Sequence, residues 1–527
     1  MVGLSGLLVT SVAARAVAQD VGEDVAPDTQ TDPRHNTEQP KEAEHPAPIH
    51  EATGQSEPTA VQPVAPPPPT TLPVARPKVG DLSITGYFRG GFGGIVQESA
   101  PATASFPAAK VGGRMTCFSL TNPAGLVAKY RLGNECEVWS ETHFTIVTYA
   151  GDDGVVSTVH FMPTIFIPTS NIGYSPNGTV TSPAIFTTAT GATISFPNLY
   201  VDLKGLAADA TVWAGTRYYK RESVYINDFF YWNPSGVGAG IEDIHIDKDL
   251  RLSYGVFAVD GQPQTSANGT DPLLPDKVDF GVRQDLQLRG IKPWESGELQ
   301  IGAQLILDYS HHLIVDSSGN PILDANGNEQ SVTHSGWGFT VQFVQKVLGG
   351  DNKLVGQIGK GGGTGFGTLS RFYYPDFSLY VLPNQYRIRA LDVLTIQPYD
   401  FIGGQFVVIY QRDQNWSGVD GQYTTWWSAG GRVTYAPFKY FKVAGEIGFD
   451  QITKSISPDV QQLTKYTIAP MLTTGRGFMT RPELRLFFTW AKWTDPARGA
   501  GVDSGSVYRS TQFLSGANFG LQAETWF

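Results

Sequence analysis

Between residues 278 and 308 the chain reads Val278-Asp279-Phe280-Gly281-Val282-Arg283-Gln284-Asp285-Leu286-Gln287-Leu288-Arg289 and, after a short break, Glu298-Leu299-Gln300-Ile301-Gly302-Ala303-Gln304-Leu305-Ile306-Leu307-Asp308. In the first stretch Val278, Phe280 and Val282 share one face, and Asp279, Arg283, Asp285, Gln287 and Arg289 share the other. In the second, Leu299, Ile301, Ala303, Leu305 and Leu307 oppose Glu298, Gln300, Gln304 and Asp308. Period two with one apolar face is the signature of a β-strand. The pattern recurs downstream: Phe441, Val443, Ile447 and Phe449 oppose Lys442, Glu446 and Asp450, and Leu484, Leu486, Phe488 and Trp490 oppose Glu483, Arg485 and Thr489. From Leu82 onward such segments alternate with breaks rich in Gly, Asn, Asp and Pro.

A soluble sandwich alternates in the same way, so other features must separate it from a membrane barrel. The alternating region runs for roughly 450 residues without a helical period or a domain break, which is large for one soluble β domain. At about 25 residues per strand and connection it yields about sixteen to eighteen strands, within the range of large transmembrane barrels. The chain stops at Phe527 inside a strand, with Phe519, Leu521, Ala523 and Phe527 on one face and Asn518, Gln522, Glu524 and Trp526 on the other. A barrel whose last strand ends in an aromatic at the membrane interface accounts for that ending. The 41% hydrophobic content contains no run approaching the ~20 apolar residues of a spanning helix, which excludes an α-helical membrane protein. Composition alone leaves open a soluble all-β repeat protein or a multidomain secreted β protein.

Residues 1–18 read as a secretory signal: Val2 to Val12 is apolar or small, and Ala16-Val17-Ala18 fits a cleavage site before Gln19. The basic residue usual before the apolar run is missing. Residues 19–80 are dense in Pro (Pro63, Pro66 to Pro69) and acidic groups and lack aromatics, which predicts an extended, disordered linker ahead of a domain at 81–527. His35, His45 and His50 lie in it and read as solvated rather than metal-binding. The two cysteines, Cys117 and Cys136, read as a disulfide in an exported chain. A net charge of −11 without a basic patch makes nucleic acid an unpromising partner.

Some aromatics sit on polar faces. Tyr87 shares a face with Ser83, Thr85 and Arg89; Trp139 with Glu137, Glu141 and His143; Trp526 with Gln522 and Glu524. In a barrel that face is the lumen. A pyranose can stack on such a ring while nearby charged groups bond its hydroxyls. The plainer reading is that the rings pack against an inward loop.

At these residues the sequence resembles the maltoporin family, over nearly the whole barrel. The motifs are Gly86-Tyr87-Phe88-Arg89, the run Lys129 to Glu137 with Cys117 as loop partner of Cys136, Trp213-Ala214-Gly215, Arg217-Tyr218-Tyr219, Asp228-Phe229-Phe230-Tyr231-Trp232, Gly238-Ala239-Gly240, Arg481-Pro482, Ala491-Lys492-Trp493 and Glu524-Thr525-Trp526-Phe527. The resemblance implies a homotrimer of eighteen-stranded antiparallel transmembrane β-barrels in the outer membrane, in contact with lipid and lipopolysaccharide and with the extension in the periplasm. The stretch from Trp213 through Tyr219, then Asp228 to Trp232 and Gly238 to Gly240, would fold inward to narrow each pore. The implied activity is facilitated diffusion of maltose, maltodextrins or other short oligosaccharides, with no cofactor and no metal. By position, Tyr87, Trp139 and Trp526 would form the aromatic track, and Arg89, Arg131, Glu141, Arg221, Asp228 and Phe230 the constriction and polar track. The sequence departs from the pattern at Asp351 and Met479, which replace track aromatics, at Phe230, which replaces a tyrosine, and at Ser223, which replaces an acid. One constriction arginine has no counterpart near Ile194, and neither has the neighbouring subunit's Trp.

Other motifs carry less. Gly359-Lys360-Gly361-Gly362-Gly363-Thr364-Gly365 lacks the Ser or Thr that follows the lysine of a phosphate loop and reads as a flexible loop. Asp324 to Glu329 starts like a calcium loop but has Glu329 where Gly is needed and Ser335 at the twelfth position, so turn chemistry fits better. His311 and His312 would point to opposite faces of a strand. No nucleophile–base arrangement suggests a barrel hydrolase. A non-specific diffusion porin, using the barrel as a sieve, is the main alternative; an adhesin or structural barrel is another.

Overall fold

A computed structural model describes residues 77–527 except 121–127, 169–185, 188–192, 207–209, 261–279, 310–311, 314–320, 322, 330, 333–334, 367–383, 416–418, 501–507 and 509–510. The proposed leader, nearly all of the Pro-rich extension, Val278, Asp279 and His311 therefore lie outside the described residues.

Among the described residues eighteen strands form one wall. They are β1 (Leu82–Ala100), β2 (Glu137–Ala150), β3 (Val156–Pro168), β4 (Thr193–Lys204), β5 (Thr211–Arg217) and β6 (Gly236–His245). Next come β7 (Arg251–Asp260), β8 (Phe280–Trp294), β9 (Gly297–Asp308), β10 (Gly336–Val347), β11 (Gly350–Lys360) and β12 (Tyr386–Tyr399). The last six are β13 (Ile402–Gln414), β14 (Tyr423–Phe438), β15 (Phe441–Lys454), β16 (Ser457–Thr473), β17 (Glu483–Trp493) and β18 (Ser515–Trp526). Each pairs antiparallel with the next, and β18 returns to β1 in the register Tyr87↔Trp526 through Ile95↔Asn518. The sheet closes on itself, so each of the eighteen strands has a paired neighbour on both sides.

Burial settles what alternation could not. On β8 and β9 the polar residues Arg283, Asp285, Gln287, Gln300 and Gln304 are buried, while Leu286 and Leu305 are 43% and 45% exposed. The same inversion runs round the wall, with Leu484, Leu486 and Phe488 outside and Glu483, Arg485 and Thr489 inside. A soluble sandwich would bury the opposite set. Apolar side chains outward and polar ones inward are what a bilayer selects. Exposed rings at the short-turn ends of the strands, Tyr149, Trp294, Tyr399, Tyr435, Phe438 and Tyr440, suit the membrane interface at that end.

Two connections at the long-loop end fold into the barrel. After β5, a short hairpin (Glu222–Val224 with Phe229–Trp232) carries a 3-10 turn at Tyr225–Asn227. Its apolar side chains Val224, Ile226, Phe229, Tyr231 and Trp232 are buried. It crosses to the opposite wall: the Tyr231 hydroxyl donates to Gln342 at 2.6 Å, Arg389 donates to the Tyr231 carbonyl at 3.2 Å, and the Ile226 amide donates to Gln405 at 3.0 Å. Asp228 turns the chain in the left-handed region at φ 54°. The expected inward segment is thus present over Glu222 to Trp232. Trp213 to Arg217 and Gly238 to Gly240, expected in it, lie instead in wall strands β5 and β6, held there by their pairing from Gly236↔Arg217 to Gly240↔Trp213.

The second inward connection comprises the described residues 115–120 and 128–136, which the sequence did not identify as inward. The bonded pair Cys117–Cys136, with Cα atoms 5.9 Å apart, ties its two ends. Its middle reaches β14 to β18: Leu132 N–H donates to Glu446 at 3.0 Å, Lys465 donates to the Leu132 carbonyl at 2.8 Å, and the Tyr130 hydroxyl meets Ser428 at 3.0 Å. Gly430 and Gly448 leave the space that the Tyr130 ring occupies; a Cβ at either would stand within 2.4 Å of it. The two inward segments join through their backbones, Lys129 N–H to the Asn227 carbonyl at 3.0 Å and Arg131 N–H to the Ile226 carbonyl at 2.9 Å.

Candidate functional site: the lumen constriction

The inward segments cover one side of the lumen more than the other. Lumen-facing Gln342, Arg389, Gln411, Thr424 and Ser428, on β10 to β14, are almost fully buried. Lumen-facing Trp139, Glu141, His143 and Thr145 on β2, and Thr158, His160 and Phe166 on β3, stay half-exposed. The open passage therefore runs along the wall formed by the first strands.

Register places the site residues on that wall. Tyr87 lies opposite Trp526 on one side and Glu141 on the other; one step along, Arg89 lies opposite Glu524 and Trp139, and Trp139 lies opposite Phe166. With strands about 4.8 Å apart, Trp526, Tyr87, Trp139 and Phe166 make a diagonal of rings across four strands. Phe166 was not picked out from sequence; its signal is the cross-strand pairing with Trp139, at ring centroids 6.1 Å apart. Trp526 carries the Arg481 guanidinium 4.6 Å above its ring and meets Tyr225 edge-on at 6.4 Å.

The polar residues fall into two groups. Arg89, Arg131 and Asp228 belong to one network. Arg89 donates to Asp228 at 2.8 Å and Glu137 at 3.0 Å; Arg131 donates to Glu135 at 2.5 Å, Glu524 at 3.0 Å and the Tyr87 hydroxyl at 2.5 Å. Lys129 adds a third cation, 3.1 Å from Glu137. Burial pushes the Asp228 carboxyl up, but the Arg89 and Arg131 guanidiniums outweigh it and hold it below its ordinary value. Glu135 behaves alike: burial raises it, and Arg131, Arg89 and Lys129 bring it well below the usual carboxylate range. These groups saturate one another and tie the inward segments to the wall. The plainer reading of Tyr87, contact with an inward loop, is met at its hydroxyl.

The second group is less saturated. Glu141 accepts from Trp139 Nε1 at 3.0 Å and the Tyr218 hydroxyl at 3.4 Å. Arg221 lies over the Tyr218 ring at 3.3 Å and 5.0 Å from the Phe230 centroid. A carboxylate and a guanidinium, each braced by rings, here border the passage with capacity for further hydrogen bonds.

Sequence reasoning also missed Tyr225. Its hydroxyl donates to Glu524 and accepts from Arg481, and the guanidiniums of Arg131, Arg432 and Arg481 stand 5.0, 5.3 and 5.3 Å from its ring. Nothing local marks it, because its partners lie up to 256 and 299 residues away. Asp351 and Met479, the departures from the aromatic pattern, line one cavity of about 900 Å³ at the short-turn end. Phe478, which adjoins Met479, is buried and offers no open face. Ser223 is exposed.

Of the weaker motifs, Gly361–Gly365 is corrected. It is a 3-10 turn packed against β10 rather than a flexible loop, and a Cβ on Gly363 would lie 2.0 Å from the Trp337 carbonyl oxygen. Asp324 does form a turn, accepting from the Asn326 and Asn328 amides at 2.8 Å each.

The LamB porin family model matches residues 82–527. Among solved structures, OccAB1 of Acinetobacter baumannii is similar at 10% identity and TM-score 0.43, over 85% of this chain and 97% of that one. OccK2 (OpdF) of Pseudomonas aeruginosa is similar at 9% identity and TM-score 0.42, over 85% and 98%. The trimer form of OmpT from Vibrio cholerae has 8% identity and TM-score 0.33, over 85% and 100%. The family match spans every strand of the closed wall, so the chain belongs to the LamB porin family and is an outer-membrane channel, not an enzyme.

Proposed function

We propose that the channel conducts short oligosaccharides by facilitated diffusion, maltose and small maltodextrins being the first candidates. The observation that carries this reading is the diagonal Trp526–Tyr87–Trp139–Phe166 along the open wall, with Glu141 and Arg221 beside it. Rings in a wet passage lose free energy unless something apolar covers them, and the face of a pyranose does so while its hydroxyls reach the acid and the guanidinium. Arg89, Arg131 and Asp228 then act mainly by holding the constriction in shape. The proposal includes assembly as a homotrimer, contact with outer-membrane lipid and lipopolysaccharide, a leader at 1–18 and a periplasmic Pro-rich extension at 19–80. Sugar-dependent block of single-channel current, across a panel of di- and oligosaccharides, tests it: saturable block is expected. Current insensitive to every sugar would favour the second reading, a non-specific porin, which the neutralisation of Arg89 by Asp228 and of Arg131 by Glu135 and Glu524 supports.

A further inference from the structure

At the short-turn end of the passage, apart from the constriction network, two imidazoles meet. His143 Nε2 on β2 lies 3.1 Å from His160 Nδ1 on β3, and His160 Nε2 lies 3.0 Å from Asp202 Oδ2 on β4. His160 is held flat against Tyr200, with centroids 4.2 Å apart and planes at 3°. A cavity of about 400 Å³ opens beside it, lined also by Thr145, Thr158 and Lys204. These side chains keep partial exposure, 12% for His160 and 18% for Asp202, through which protons and permeating ions reach them.

The geometry fixes the proton count. The Asp202 carboxylate only accepts, so His160 Nε2 carries a hydrogen and His160 Nδ1 offers its lone pair to His143 Nε2–H. In that state the three groups sum to a charge of −1. One added proton fits on His143 Nδ1 without disturbing the chain and brings the sum to zero. A second must go to His160 Nδ1, which turns the bond between the rings into a contact of two donors and makes the sum +1. Nearby charges do not mask the change. Arg217, 4.6 Å from the Tyr200 centroid, is paired with Glu242 at 2.9 Å. Glu141 lies two residues from His143 on the same face, Lys204 lines the cavity, and the β1 residue opposite His143 is the neutral Thr85. Histidine is the side chain type whose charge changes between pH 5 and 8, whereas carboxylates as a class change lower, so a response in that range points to this cluster.

We propose that His143, His160 and Asp202 form a pH-sensitive selectivity element at the short-turn mouth, which favours cations above neutrality and loses that preference on acidification. The proposal rests on the channel itself and is independent of which solute it carries. The test is the reversal potential of the full-length protein in planar bilayers under a KCl gradient, from pH 8 to 5.5. The wild-type cation-to-anion permeability ratio should fall roughly two-fold or more, as expected when a fixed negative charge in a narrow pore is neutralised. His143→Gln and His160→Gln should each remove at least half of that fall, and Asp202→Asn should lower the ratio already at pH 8. A wild-type ratio constant over this range would overturn the proposal. So would a His143→Gln channel with the full wild-type fall, and this variant keeps the test open should His160→Gln fail to assemble.

Discussion

Replacing Trp139 separates a ring that binds from a ring that only packs. Trp139 does two things at the open wall: it presents a face between Tyr87 and Phe166, and its Nε1 donates to Glu141 at 3.0 Å. Trp139→Phe keeps a ring and loses the donor; Trp139→Ala loses both. An aromatic platform contributes about 0.5–1.5 kcal/mol, and an orienting hydrogen bond about as much. Trp139→Phe should therefore weaken sugar binding about 2- to 13-fold, and Trp139→Ala about 5- to 150-fold. Conductance without sugar should hold, because Arg89 keeps its bonds to Glu137 and Asp228 and the inward segments stay in place. The assay is titration of current block by maltose and maltotriose in planar bilayers. Unchanged block in Trp139→Ala, with conductance preserved, would refute the reasoning and return Trp139 to packing against Phe166. A large loss in Trp139→Phe with little more in Trp139→Ala would shift the weight from the ring to Glu141.

Because Asp351 and Met479 line the short-turn cavity and offer no aromatic platform there, block should strengthen little beyond two or three sugar units; Asp351→Phe with Met479→Trp should steepen that dependence by about 0.5–1.5 kcal/mol per platform, read by titration with two- to seven-unit maltodextrins. Arg89→Ala leaves Glu135, Glu137 and Asp228 short of a cation, so it should cost about 3–5 kcal/mol locally and appear as a noisier, larger conductance; a quiet wild-type trace would show that the network is not what holds the segment. Asp228 has a depressed pKa, so its contribution is present above its unfolded value near pH 4 and is lost only as pH falls through the lower folded value; constriction noise should stay flat down to about pH 4 and rise below it. Reducing Cys117–Cys136, 19 residues apart, should lower stability by about 3 kcal/mol in the chain-entropy model yet leave conductance intact, since Leu132 and Tyr130 keep their wall contacts. Mass measurement in mild detergent should give a trimer, and monomer alone would count against the assembly proposed.

The wall was legible because its information is local. Leu299 to Asp308 alternates at period two, and such a strand declares itself without reference to its neighbours. The Gly-containing strands at Trp213 to Gly215 and Gly238 to Gly240 instead read from sequence with the inward segment. What alternation could not say is which face looks inward; that needed Leu305 outside and Gln304 inside. The inward course of Asp228 to Trp232 came from the resemblance, not from periodicity. Residues 128–136 carry no period, and what draws them in is distant: the partners of Leu132 and Gly133 at Glu446 and Gln522 lie 314 and 389 residues away. Arg89, Arg131 and Asp228 could be named from sequence, but their satisfaction by one another could not, because Glu524 and Asp228 reach them only through barrel closure and the inward fold.

That closure explains how one wall can hold a charged constriction and still leave an open aromatic strip. Buried charges need partners, and the inward segments bring them: Lys129, Arg131 and Glu135 from one, Asp228 from the other. Two backbone bonds join the segments, Lys129 to Asn227 and Arg131 to Ile226, so they press on the far wall as a unit, where Tyr231, Phe229 and Tyr130 are buried. Because they anchor there, they fill the lumen from that side. The β2 and β3 faces bearing Trp139, Glu141 and Phe166 stay half-exposed. A substitution that loosens the far anchorage, such as Tyr130→Ala beneath Gly430 and Gly448, should therefore alter sugar affinity on the open wall without touching a residue of it.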